Sequence, residues 1–269
     1  MATLVGVRAA GAQVLLDEPP AELRGVTVTE KLGQQLPTRL SFMNSEGETV
    51  ALTDYFDGEK PVVLALVYFG CPVVCPLVLD RLTECFTGLD YTIGEDYNVV
   101  VVSIDHTEGV TESSTRKQRD LAVYGRGDAG SVPSGWGFHT GDETSIKMLA
   151  DACGWDFKRL PNGEYAHPAA VMIASPDGVL TRYVYGFDYP VKQVKLSLLD
   201  ASEGRIAASL GDHLMFYCYR YDPTAGTYSM EAMALMRLAG GATVAGLVVL
   251  IGGMLIVEKF RGKKPAVAA

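Results

Sequence analysis

Residues 61–89 read PVVLALVYFGCPVVCPLVLDRLTECFTGL, and this stretch decides the fold. Pro61 to Gly70 is an unbroken apolar run between breakers, too short for a helix and without a polar side, which predicts a strand buried on both faces. Directly behind it stand Cys71 and Cys75, and then a segment in which Leu77, Leu79, Leu82 and Phe86 approximate helical spacing. Strand, turn, cysteine pair and helix therefore follow one another in that order.

Working outward, Asn98 to Ile104 (NVVVVSI) predicts a second strand buried on both faces, with a helix over Thr115 to Tyr124 leading away from it. Glu143 to Cys153 predicts another helix, capped by Thr140 or Asp142. Ala169 to Ala174 and Leu180 to Tyr185 flank Ser175 to Gly178 as strand, turn and strand. Upstream, Ser41 to Phe56 reads as a hairpin turning at Ser45 to Gly47, after a loosely structured lead-in from Leu23 to Leu40. Val191 to Ala208 supplies the last helix. Strands alternating with helices and closing in a hairpin predict an α/β domain with a mixed sheet flanked by helices.

The net charge of -9 and a pI near 5.0 argue against nucleic acid as a partner, because phosphate binding needs a basic face. Mean hydropathy is +0.14, and the apolar excess is local. Leu238 to Val257 (LAGGATVAGLVVLIGGMLIV) is twenty residues without a charge, enough at helical rise to span a bilayer core of roughly 30 Å. This predicts a single C-terminal transmembrane helix, whose glycines would destabilise a soluble helix but are ordinary in lipid. Lys259, Arg261, Lys263 and Lys264 follow the span and only Arg237 immediately precedes it. The positive-inside tendency puts the tail in the cytoplasm and the main domain on the extracytoplasmic, periplasmic side of the cell membrane. The expected organisation is a lead-in or vestigial signal segment over 1–22, a folded domain over 23–210, a connector over 211–232, the membrane helix over 233–258 and a basic tail over 259–269.

The cysteines number five, too sparse and odd a set for a disulfide framework. Cys85 and Cys153 read as small apolar core residues on helices, and Cys218 as a free or intermolecular thiol in the connector. Cys71 and Cys75 are different: four apart, they would face one way if the turn between them is helical, and a helix start stabilises thiolates. A low thiol pKa serves both a metal ligand and a redox pair, and the spacing decides only partly between these uses. Two soft thiolates with an imidazole suit copper, whereas disulfide oxidoreductases typically carry C-x-x-C. His106, His139, His167 and His213 are the candidate third ligands. His167 lies just before the strand at Ala169. In a thioredoxin-like sheet that loop packs against the cysteine-bearing turn, which also makes the His167–Pro168 bond a candidate cis peptide. No paired carboxylates, G-x-G-x-x-G or P-loop pattern points to other chemistry.

The segments VVLALVYFGCPVVCP, VVVVSID, FHTGDETSIKMLADACGWDF and AHPAAVMIASPDGVLTRYVYG resemble the Sco/SenC family of cytochrome c oxidase assembly proteins, over roughly Leu40 to Leu210. The resemblance implies a thioredoxin-like fold, with copper, Cu(I) or Cu(II), held by Cys71, Cys75 and His167. It implies as partner the copper-bearing subunit of cytochrome c oxidase or another copper carrier, with thiol-disulfide exchange at Cys71 and Cys75 as the alternative activity. The chain departs from the family pattern at Val73 and Ala166, where many members carry Asp. It departs again at His106, where proline is frequent, and in placing its anchor after the domain rather than before it.

Overall fold

Two strands with every side chain buried hold the centre of the molecule, as their apolar composition requires. The computed structural model describes residues 25–127, 130–203, 209–222, 227–230 and 232–261. In chain order it contains β1 (Ser41–Asn44), β2 (Thr49–Ala51), a turn of 3-10 helix at Leu52–Tyr55, β3 (Val62–Val67), α1 (Val74–Gly88), β4 (Asn98–Ser103) and α2 (Val110–Tyr124). There follow α3 (Ser131–Gly135), β5 (Trp136–Thr140), α4 (Glu143–Ala152), β6 (Lys158–Arg159), β7 (Tyr165–Ala166), β8 (Ala170–Ala174), β9 (Leu180–Tyr185) and α5 (Val191–Ala201).

Seven strands form one sheet in the order β2-β1-β5-β4-β3-β8-β9. β3, β4 and β5 are parallel, while β1, β8 and β9 run antiparallel to their neighbours β5, β3 and β8. This is the mixed sheet that the alternation of elements predicts, in the thioredoxin-like form that the family resemblance implies. No side chain of β3 is more than 3% exposed, and burying each Val or Leu of this kind stabilises the fold by about 1.5–3 kcal/mol. The strand order β5-β4-β3 with parallel pairing carries α1 and α2 over the same face, and α1 packs against both α2 and α5.

Several local readings change. β5 joins the sheet between β1 and β4, although Trp136 to Thr140 (WGFHT) is too short and too mixed to display a strand period. Gly137 is required there, since a Cβ would sit 2.2 Å from the Tyr55 hydroxyl. α2 starts at Val110, five residues before the expected Thr115. The reason is a cap built in reverse, in which the Glu112 carboxylate accepts from the Gly109 N–H at 3.0 Å. Asp142 does cap α4, accepting from the N–H groups of Thr144 and Ser145. α5 ends at Ala201 rather than Ala208, with Glu203 in the left-handed region at φ 53°. The His167–Pro168 bond is trans, as is every described peptide bond; for X–Pro the trans form is the lower in energy by about 0.5–1 kcal/mol.

Residues 211–232 carry structure of their own: α6 (Leu210–Cys218) and a hairpin of β10 (Tyr219–Asp222) and β11 (Thr227–Met230). Both dock on the domain. Lys195 on α5 pairs with Asp212 at 2.5 Å and Asp90 at 2.7 Å. The Tyr228 hydroxyl donates to Asp200 at 3.0 Å and accepts from Arg182 Nε at 3.1 Å, and Arg182 itself pairs with Asp200. The last element, α7 (Ala232–Arg261), is a helix of 30 residues. Among the described residues no helix is long and apolar enough to cross a membrane. The transmembrane helix expected over 233–258 falls within α7 and is not supported by that finding. Residues 1–22, the expected lead-in, and 262–269 of the basic tail expected over 259–269 lie outside the described residues, while 259–261 belong to α7.

Candidate metal centre

β3 and β4 are parallel and β8 runs antiparallel to β3, so the residues after β3, after β4 and before β8 meet at one end of the sheet. Those residues include Cys71, Glu108 and His167. Cys71 leaves β3 through a turn in which its N–H donates to the Tyr68 carbonyl at 3.3 Å. It is not part of α1, which begins at Val74. The expectation that a helical turn sets both sulfurs on one face is therefore corrected, and Pro72 supplies the reason by disfavouring the α conformation at the residue before it.

The sulfurs meet by another route. Cys71 folds its side chain over the start of α1, where the Cys75 N–H donates to Cys71 Sγ at 3.3 Å. The first N–H groups of a helix lack intrahelical partners, and the sulfur takes the place of a capping oxygen. The Tyr68 N–H in turn donates to Cys75 Sγ at 3.4 Å. His167 completes the group, its Nε2 lying 3.1 Å from Cys75 Sγ. Its Nδ1 is 3.1 Å from the Pro168 carbonyl. A carbonyl only accepts, so Nδ1 carries a proton, and in the neutral imidazole Nε2 is then the nitrogen open to a metal. Trp155 stacks on the imidazole at 5.4 Å and Tyr68 meets it edge-on at 5.9 Å. One ligand atom from each of Cys71, Cys75 and His167 lies within 4.8 Å of the others.

The two thiols are electrostatically unlike. Cys71 is held well below the usual thiol range, foremost by the Cys75 S–H and then by the Cys75 N–H, the Tyr68 hydroxyl and the Val73 N–H, against the effect of burial. Burial pushes the Cys75 thiol up, and the neighbouring Cys71 adds to this. Cys75 is 1% exposed and Cys71 7%, so the thiolate is the more accessible of the pair. Val73, between the two cysteines in sequence, is exposed.

Glu108 follows β4 and grips the turn that leads to Cys71. Its Oε2 accepts from the Phe69 N–H at 2.9 Å and from the Ser103 hydroxyl at 2.5 Å, and its Oε1 from the Gly70 N–H at 2.5 Å. Burial raises its carboxyl above the usual range despite these donors. Glu108, Tyr68 and Trp155 were not singled out by the sequence reading. The usable signal was the position of Glu108 just past the carboxyl end of a parallel strand, where α/β sheets gather their sites.

The other candidates stand apart. His106 is exposed on the rim of a cleft of about 320 Å³ lined also by Trp155 and Tyr165. His139 is fully buried in β5, and His213 is exposed on α6. None of the three belongs to the metal-capable group found among the described residues. Cys85 and Cys153 are buried, which pushes both thiols up to about 12, and the side chain of Cys218 lies outside the description.

Fold and donor set together define a thioredoxin-like protein that brings two thiols and one imidazole to the end of its central strand. The chain belongs to the SCO1/SenC family, whose profile matches residues 28–195. A candidate electron-transfer protein from Aquifex aeolicus aligns at TM-score 0.56 and 24% identity, over 64% of this chain and 95% of its own. A candidate electron-transport protein from the same organism aligns at TM-score 0.52 and 24% identity, over 64% and 99%. These two show the shared fold. A copper-bound ScoI from Arabidopsis thaliana aligns at TM-score 0.47 and 17% identity, over 66% and 97%. No curated protein matches the chain.

Proposed function

We propose that this protein is a membrane-anchored copper chaperone that carries one copper ion on Cys71, Cys75 and His167 and supports maturation of the copper site of cytochrome c oxidase. The observation that carries the reading is the convergence of two sulfurs and one imidazole nitrogen within 4.8 Å. Thiolate and imidazole donors suit copper, and three of them fall short of a closed four-ligand structural zinc site. A carrier must release its cargo, and the half-buried His167 with the 7% exposed Cys71 leaves a side from which a recipient's ligands can enter. The cargo is copper as Cu(I) or Cu(II), and the recipient is the copper-bearing oxidase subunit or another copper carrier.

The test is copper content of the reduced, anaerobic full-length chain in detergent, for wild type and for Cys71→Ala, Cys75→Ala and His167→Ala. About one copper per wild-type chain, lost or sharply weakened in each variant, supports the chaperone. A wild type that takes up no copper sinks it.

A second reading is a thiol-disulfide oxidoreductase, favoured by the close approach of the pair at Cys75 N to Cys71 Sγ, 3.3 Å. In that case Cys71 attacks a partner disulfide, releasing one partner thiolate, and Cys75 displaces the second, so that the partner is reduced and a Cys71–Cys75 disulfide forms. His167→Ala separates the two, since exchange needs no imidazole ligand.

The proposed anchor is the charge-free run Leu238 to Val257 within α7. Supporting it, Val244, Leu247, Val248, Val249, Leu250, Ile251 and Met254 are all more than half exposed, a helix apolar all round that an aqueous surface does not tolerate. By the positive-inside tendency, the basic residues after it support a cytoplasmic tail and an extracytoplasmic domain. A membrane-impermeant maleimide should then label Cys71 in intact cells; labelling only after lysis overturns this orientation.

A further inference from the structure

We propose that Glu108 is a positioning residue for the metal centre, fixing the direction from which Cys71 meets Cys75 and His167 without touching the cargo itself. The inference rests on the metal-carrier reading above and extends it to a residue outside the donor set.

The argument runs through one peptide plane. Glu108 accepts from two successive N–H groups, those of Phe69 and Gly70, so the turn forms an anion-binding concavity filled by the chain's own carboxylate. A trans peptide is planar, with N–H and C=O pointing in opposite directions. Holding the Phe69 N–H therefore aims the Tyr68 carbonyl, and that carbonyl receives the Cys71 N–H. The carboxylate thus orients Cys71 through a relay of Phe69, Tyr68 and the Cys71 backbone. Ser103, at the end of β4, braces Glu108 from behind at 2.5 Å, and no lysine or arginine pairs with it among the described ion pairs. A Cβ on Gly70 would come to 3.1 Å from Glu108 Oε1, so the seat is closely fitted. Both backbone N–H groups that the Glu108 carboxylate accepts from belong to the cysteine turn.

The test uses the full-length chain in detergent, as wild type, Glu108→Gln and Glu108→Asp, with two readouts and a melting curve. The first readout is Cu(I) affinity by competition with a chromogenic chelator. The second needs no metal: equilibration with glutathione, in which Cys71 and Cys75 pass two electrons and two protons to one oxidised glutathione, giving a protein disulfide and two reduced glutathiones. In Glu108→Gln an amide NH2 faces a backbone N–H; Cu(I) affinity should fall about 10–100-fold, as for other residues that orient a ligand. The glutathione equilibrium should shift with it while the melting temperature holds. Glu108→Asp keeps the charge on a shorter stem and should recover part of both, and it carries the test if the Gln variant does not fold. Unchanged readouts in a folded variant, or losses that only follow the melting temperature, overturn the proposal. A wild type without copper affinity whose glutathione equilibrium still shifts on substitution removes the carrier reading and leaves the positioning role standing.

Discussion

His167 Nε2 lies 3.1 Å from Cys75 Sγ across 92 positions of sequence, and the bond from His167 Nδ1 to the Pro168 carbonyl holds the ring with that Nε2 turned to the sulfur. Replacing His167 with Ala should lower copper affinity at least about 100-fold, the upper end of what loss of a ligand-orienting residue costs. Thiol exchange of the Cys71–Cys75 pair should be largely kept. Chelator competition measures the first and exchange with a small disulfide the second. Copper affinity that survives the substitution would mean that the imidazole is not a ligand.

The unlike thiols predict an order of reaction in the metal-free, reduced chain. Cys71 stays a thiolate below neutral pH because the Cys75 S–H and backbone donors surround it, while burial keeps Cys75 protonated. Alkylation by iodoacetamide should therefore fall on Cys71 first and change little between pH 8 and 6, whereas an ordinary thiol slows about tenfold per pH unit below its pKa of about 8.5. Peptide mapping of partially modified protein checks this. Preferential modification of Cys75 would contradict the burial and bonding described.

The fold was legible where a segment's composition allows one answer. The valine-rich runs at 62–67 and 99–102 carry no polar side chain that could face water, so central strands follow from sequence alone. β5 was not legible, because Gly137 and His139 interrupt its pattern and only its neighbours β1 and β4 make it a strand. The cysteine turn was half legible. Its place after β3 could be read, but the helical approach of the sulfurs could not survive Pro72, and the actual approach depends on a free N–H at the start of α1. Glu108 and Trp155 act through tertiary contacts, with Phe69 and Gly70 in one case and the His167 ring in the other, and neither leaves a local signature. The chain after Ser209 illustrates the same limit, since the docking of Tyr228 against Arg182 and Asp200 joins segments far apart in sequence.

That docking makes its own prediction. Tyr228 is 8% exposed, and its backbone N–H also donates to Gln193 Oε1 at 2.7 Å. Tyr228→Ala removes a buried aromatic side chain, a change that costs about 3–5 kcal/mol in a well-packed core, here concentrated at the junction between hairpin and domain. Hydrogen exchange should accelerate in residues 219–222 and 227–230 while β3 and β4 keep their protection. Equal acceleration in β3 and β4 would show that the hairpin is part of the domain's cooperative unit rather than an element laid upon it.

His139 predicts how stability responds to acid. It is fully buried in β5, with Nδ1 3.2 Å from the Val101 carbonyl and the ring edge-on to Tyr55. Burial pushes its pKa down to about 4 from an ordinary 6.5. For a base whose folded pKa is depressed, the unfolded chain binds the proton first, so the group is neutral in its effect above pH 6.5 and destabilises progressively as pH falls from 6.5 towards 4. Between pH 7.5 and 5 this amounts to about 2 kcal/mol. His139→Phe keeps the ring and removes the titration. Guanidinium unfolding of wild type and variant at both pH values isolates the term, because every other titrating group is common to the two chains. The variant should lose about 2 kcal/mol less than wild type over that interval. Parallel losses in both would mean that His139 accepts its proton without opening the core around Tyr55.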